Sequence, residues 1–175
     1  MSEKTALLVI DAQLGVIGNE AYHRDEVLEN IHLLLERARG SGTPVVYVQH
    51  NDPWMEPETP MWQIHQVIAP REDEPVVQKE APDSFYETNL QEELRARGIT
   101  HLIITGGQTQ YCVDTTTRRA VAQGYDVTLV SDAHTTDDSK TLPAEQIVAF
   151  YNEVLNGFWA GEHKVQVKAT NEVKF

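Results

Sequence analysis

Three residue types that together could run covalent catalysis, a thiol, a carboxylate and an amine, each close an apolar run in this chain. Cys112 is the sole cysteine among 175 residues. It follows the apolar stretch 101–105 and the turn Gly106-Gly107-Gln108-Thr109, and it precedes a helical pattern. That placement predicts a thiol beyond the C-terminal end of a strand, in the first turn of the next helix. The N–H groups and dipole of a helix start favour a thiolate, and open α/β sheets bind ligands beyond the carboxyl ends of their strands. Asp11 ends the run 5–10, and Lys79 ends the run 74–79. Each residue also has an ordinary reading: a buried core cysteine, a turn or cap aspartate, and an edge-strand lysine that discourages aggregation. Taken together they form a nucleophile, a base and an orienting charge.

The elements that must position them alternate. Apolar runs at 6–10, 45–49, 76–78, 101–105, 126–130 and 164–167 predict six strands. Helical patterns fill 26–39, 88–97, 112–123 and 144–156, and glycines at 40, 98, 124 and 157 stop them. In the first helix Val27, Ile31, Leu34, Leu35 and Ala38 share one face. Strand–helix alternation predicts an α/β fold, a parallel sheet with helices on both faces. The segment 50–73, with prolines at 53, 57, 60 and 70, is long enough for a functional loop.

The combination of Val9-Ile10-Asp11, Val76-Val77-Gln78-Lys79, Asp83-Ser84-Phe85, Thr88-Asn89-Leu90 and Gly106-Gly107-Gln108-Thr109-Gln110-Tyr111-Cys112-Val113 resembles the isochorismatase-like cysteine hydrolases. That superfamily includes nicotinamidases, N-carbamoylsarcosine amidohydrolase and isochorismatases. The resemblance runs from about residue 6 to 167 and implies a single hydrolase domain over 1–175. It implies a Rossmann-like three-layer α/β/α sandwich, with a six-stranded parallel sheet in the order 3-2-1-4-5-6. It also implies an Asp11–Lys79–Cys112 triad and a cis peptide at Gly107–Gln108. Cys112 then attacks a carbonyl carbon, Asp11 moves the proton, and Lys79 holds Asp11 ionised and favours the thiolate. The backbone N–H groups of Gln108 and Cys112 would receive the oxyanion. The expected activity is hydrolysis of a small amide or related C–N bond through a thioester.

In the subset of the family that this chain most resembles, a W-x-I-H stretch lies beside the active site. Trp62-Gln63-Ile64-His65 matches it. Trp62 and His65 are therefore pocket candidates, or they pack the loop or a subunit interface. Gln13 and Phe85 are further candidates, and Phe85 could equally belong to the core. Nicotinamidases carry an Asp-x-His pair and another histidine after the second strand. Here His50-Asn51-Asp52 reverses that pattern, so no metal and no cofactor is expected. His134 reads as a polar loop residue.

A net charge of −13 argues against nucleic acid and anionic membranes as partners. No stretch is apolar enough to span a bilayer, and the first residues lack a signal pattern. One cysteine leaves no intrachain disulfide and suits a reducing cytosol, so the expected location is cytoplasmic. The expected partner is a small-molecule substrate. The family resemblance implies a homodimer or higher homo-oligomer, with the Trp- and Pro-rich segment 52–70 contributing. Two rival readings stand beside amide hydrolysis: cleavage of the vinyl ether of isochorismate, which needs no thiol, and a non-catalytic oligomeric binding protein on this scaffold. A flavodoxin-like cofactor binder is disfavoured, because no G-x-G-x-x-G follows the first strand.

Overall fold

Alternation within the first strand decides the layers. In β1 (Thr5–Ile10) the side chains of Ala6, Leu8 and Ile10 enter one apolar cluster, while Leu7 and Val9 enter another on the opposite face. A strand buried on both sides must lie inside a sheet covered on both sides. The computed structural model, which describes residues 4–175, shows such a sheet. Residues 1–3, where the expected domain begins and whose sequence lacks a signal pattern, lie outside the described residues.

The strands are β1, β2 (Val45–His50), β3 (Val76–Lys79), β4 (His101–Gly107), β5 (Asp126–Thr135), β6 (Trp159–Ala160) and β7 (His163–Lys168). Their order is β3-β2-β1-β4-β5-β7-β6, and every pair except the last is parallel. The six expected strands stand in the expected order. A seventh is added at the edge: Trp159–Ala160 turns back through Gly161, at φ 61°, to pair antiparallel with β7. Two residues carry no periodicity, so this hairpin had no signal in the sequence.

Helix α1 (Arg24–Ser41) covers one face with Val27, Leu28, Ile31, Leu34, Leu35 and Ala38. The other face receives Leu90 and Leu94 of α2 (Leu90–Ala96), Ala120 and Val121 of α3 (Asp114–Ala122), and Leu155 of α4 (Ala144–Leu155). Each fully buried Leu or Ile of these layers contributes roughly 1.5–3 kcal/mol.

Two departures from expectation matter for the site. Strand β5 runs on to Thr135: after an irregularity between Ile104 and Gly106, it rejoins β4 through Gly106–His134 and Gly107–Thr135. Helix α3 begins at Asp114, so Cys112 lies in a five-residue π-type turn, Thr109–Val113, ahead of the helix. The segment 50–73 carries two 3₁₀ turns, Pro60–Trp62 and Gln66–Ile68. It is laced to the chain after β1 by Leu14 N–H to Gln63 O at 2.9 Å, Gly15 N–H to Met61 O at 2.8 Å and His65 N–H to Ala12 O at 3.0 Å.

Candidate active site

The sheet order makes β1 and β4 neighbours and sends the chain away on opposite sides, which opens a crevice at their carboxyl ends. Asp11, directly after β1, turns out of the strand with φ 47° while its N–H still bonds Val48 O at 2.9 Å. Lys79 closes β3 in register with His50, the last residue of β2. Cys112 reaches the same point from the turn after β4. The Lys79 ammonium is 2.7 Å from Asp11 Oδ2 and 3.2 Å from Cys112 Sγ. The side chains of Asp11 and Lys79 are completely shielded from solvent, and Cys112 is partly exposed. The three residues expected to converge do so.

Gly106 makes this approach possible. It pairs with Ile10 in the sheet and has φ 120°. A Cβ there would stand 1.8 Å from the Ile10 carbonyl oxygen, backbone that cannot move aside. The next peptide, Gly107–Gln108, is cis, as the resemblance implied. The Gln108 carbonyl accepts the N–H groups of Tyr111 and Val113, each at 3.2 Å. Thr109 ties the turn to the far side of the sheet. Its hydroxyl is 2.9 Å from His134 Nδ1, and His134 Nε2 is 2.9 Å from Asn152 Oδ1. Asn152 donates its amide to Ser131 O at 3.1 Å, so Oδ1 is the acceptor, His134 carries its proton on Nε2, and Thr109 is the donor to Nδ1. His134 is thus a buried strand residue that braces the cysteine turn, where the sequence suggested a polar loop residue.

The electrostatics overturn one expectation. Burial, and then the Asp11 carboxylate, push the Cys112 thiol up to about 12, against a smaller downward pull from Lys79. Both effects favour the protonated thiol in the resting site over a standing thiolate. The helix start was expected to lower this value, but α3 begins two residues later and the neighbouring negative charge acts the other way. Burial also raises the Asp11 carboxyl, opposed by Lys79. A carboxylate of raised basicity beside a protonated thiol can take the thiol proton when sulfur attacks.

His50 is the residue that sequence reasoning undervalued, having weighed it only as a metal ligand. Its Nδ1 lies 2.7 Å from Lys79 Nζ, and its Nε2 faces Asp52 Oδ2 at 3.6 Å. Burial and the Lys79 charge lower its pKa, so the ring is neutral at physiological pH. The signal was present in the sequence: His50 ends an apolar strand, as Asp11 and Lys79 do. Metal-ligating atoms of Asp11, His50 and Cys112 lie within 4.8 Å of one another. The Lys79 ammonium contacts all three residues, so the cation among them is supplied by the chain.

The four pocket candidates separate. Gln13 is fully buried and spends its amide on the backbone: Oε1 accepts His50 N–H at 2.8 Å, and Nε2 donates to His50 O and Trp62 O, each at 2.9 Å. It is a tie between β2 and the 60s segment, not a group free to meet a ligand. Phe85 belongs to the core, stacked on Tyr125 at 6.0 Å between centroids. His65 is buried and donates Nε2–H to Ile17 O at 2.8 Å. It lines a groove of about 760 Å³ along α1 that shares no lining residue with Asp11, Lys79 or Cys112. Trp62 is half-buried, and its indole N–H is donated to Asn51 Oδ1 at 2.7 Å. Asn51, with Lys79, Glu80, Ala81, Tyr86 and Glu87, lines a cavity of about 320 Å³.

A parallel α/β sheet that brings an acid, an ammonium and a thiol into the crevice at its switch point is the scaffold of a cysteine hydrolase. The family model for the isochorismatase domain matches residues 5–152. The chain is 34% identical over 168 residues to the isochorismatase family protein YddQ of Bacillus subtilis, covering 89% of this chain and 93% of that one. It is 38% identical over 143 residues to a streptothricin hydrolase of Streptomyces noursei, covering 79% of this chain and 57% of that protein. The structure of N-carbamoylsarcosine amidase from Thermoplasma acidophilum superposes with a TM-score of 0.79 at 26% identity, over 98% of this chain and 99% of that one. The chain belongs to the isochorismatase-like cysteine hydrolase superfamily. Among the described residues, no helix is long and apolar enough to cross a membrane.

Proposed function

We propose that this protein hydrolyses a small amide or related C–N bond through a thioester on Cys112. The observation that carries the reading is the placement of the Lys79 ammonium, 2.7 Å from Asp11 and 3.2 Å from Cys112, in a crevice that shields both charges. As sulfur adds to the substrate carbonyl, Asp11 takes the thiol proton. The S–C bond forms, and the oxyanion is received by the backbone N–H groups of Gln108 and Cys112. Asp11 returns the proton to the leaving nitrogen as the C–N bond breaks. Water then attacks the thioester, Asp11 takes its proton, and the thiol is re-formed as the acid departs. The Lys79 ammonium offsets whichever neighbour is negative. The raised Cys112 value supports a thiol activated only during attack. The N-carbamoylsarcosine amidase among its similar structures supports C–N chemistry over vinyl ether cleavage. The exposure of Trp54, Met61 and Val67 supports self-association through the segment 52–70.

The test is release of ammonia or amine from a panel of small amides, ureides and lactams, with Cys112→Ala as the control. Turnover that disappears in the variant is the expected result. A panel with no turnover, alongside isochorismate hydrolysis that persists without the thiol, would refute amide chemistry.

A further inference from the structure

A lysine ammonium has three protons and no lone pair. Lys79 has four acceptors within reach: Asp11 Oδ2 at 2.7 Å, His50 Nδ1 at 2.7 Å, the Ala81 carbonyl at 2.9 Å and Cys112 Sγ at 3.2 Å. Three of these contacts have hydrogen-bond geometry, to His50 Nδ1, the Ala81 carbonyl and Cys112 Sγ, and they take one proton each; Asp11 Oδ2 is held by charge. The sulfur is a weak acceptor while protonated, and it becomes a strong one once it is an anion. Two anchors hold the other ammonium protons, and one of them, Ala81, is backbone. His50 is the remaining side chain.

Its geometry fits an acceptor and nothing else. Nδ1 faces a group that can only donate, so Nδ1 is unprotonated and the proton is on Nε2, toward Asp52. The backbone of His50 is pinned on both sides by Gln13, through its N–H at 2.8 Å and its carbonyl at 2.9 Å. Its place opposite Lys79 is set by strand register. The ring is therefore held in position without help from its own hydrogen bond, and that bond can act on the lysine.

We propose that His50 is a positioning residue for the reaction: its Nδ1 holds one proton of the Lys79 ammonium and so aims the charge at the sulfur of Cys112. The proposal rests on the reading of Lys79 and Cys112 as a working pair. Without the acceptor, one ammonium proton is left unpaired in a buried site, and Nζ turns toward the acceptors that remain.

Two substitutions of nearly the same shape separate the acceptor from the volume. His50→Asn keeps an oxygen near the place of Nδ1; His50→Leu fills similar space with no acceptor. The readout is the rate at which iodoacetamide alkylates Cys112, the sole thiol, followed by mass spectrometry at one mildly alkaline pH. The expected result is a rate roughly tenfold lower for His50→Leu, the scale of one hydrogen bond to a charged group, with His50→Asn close to the parent. Equal rates in the two variants, whether fast or slow, would overturn the proposal. So would a parent protein whose thiol resists alkylation altogether, because the lysine would then confer no reactivity to be aimed. With a hydrolysed substrate in hand, the loss in His50→Leu should fall on kcat with KM unchanged. The alkylation comparison needs no substrate, so a failure to find any hydrolysed amide sinks the amidohydrolase reading and leaves this comparison standing.

Discussion

Replacing Lys79 by methionine leaves Asp11 with a buried carboxylate and no counter-ion. Both side chains are wholly inside, and their charged atoms are 2.7 Å apart. Removing one partner of such a pair costs about 3–5 kcal/mol, because the survivor cannot return to water. The carboxyl escapes part of that cost by taking a proton. Its folded pKa, already raised by burial, rises further once the lysine's opposing pull is gone. The sign of the pH dependence follows. An acid whose folded pKa exceeds its unfolded one does no harm below the unfolded value, where both states are protonated. It destabilises progressively as pH rises toward the folded value, by up to about 1.4 kcal/mol per pH unit. The deficit of Lys79→Met against the parent should therefore be largest at neutral pH and shrink on acidification toward about pH 4. Urea unfolding followed by circular dichroism at several pH values measures it. Adding Asp11→Asn removes the stranded charge, and the double variant should regain most of the lost stability. A deficit below about 1 kcal/mol at neutral pH, or one that does not vary with pH, would refute the argument that a dry ion pair underlies the site.

Asp11→Asn should speed alkylation of Cys112 at neutral pH while abolishing turnover, since the charge that raises the thiol pKa is also the base; iodoacetamide labelling against pH, beside the amide assay, would show both. Dialysis against a strong chelator should leave activity intact, because the Lys79 ammonium already stands among Asp11, His50 and Cys112; loss of activity that zinc restores would refute this.

Asp11 and Lys79 were legible because each breaks an apolar run at its end, and Cys112 because it follows such a run across a short glycine turn; in a parallel sheet such ends share one side. The layers were legible for a related reason: the six parallel strands read as apolar runs, and the apolar stripe of α1 is long enough to show a period. His50 ends its run in the same way, yet its partnership with Lys79 depends on the register between β2 and β3, which no local pattern carries. The thiol's state was misjudged because a helix start is visible in sequence, whereas burial and the nearness of Asp11 appear only on folding. Gln13 lies two residues past Asp11, close enough to suggest a ligand contact. The chain's turn after β1 instead directs its amide to the backbone of β2. Phe85 sits in a motif that the family resemblance made suggestive, and its ring completes the core.

The contact between Gly106 and the Ile10 carbonyl has a consequence for how such a protein can change over time. At the seam between β1 and β4 there is no room for even a methyl group, so the spacing between acid and thiol cannot be tuned by small steps. The segments that flank the crevice carry no such restriction. Trp54, Met61 and Tyr86 all lie exposed on them. New substrates would have to be acquired by rewriting those borders around an unaltered seam. A lineage built on this scaffold would then drift widely in what it consumes while repeating one way of breaking the bond.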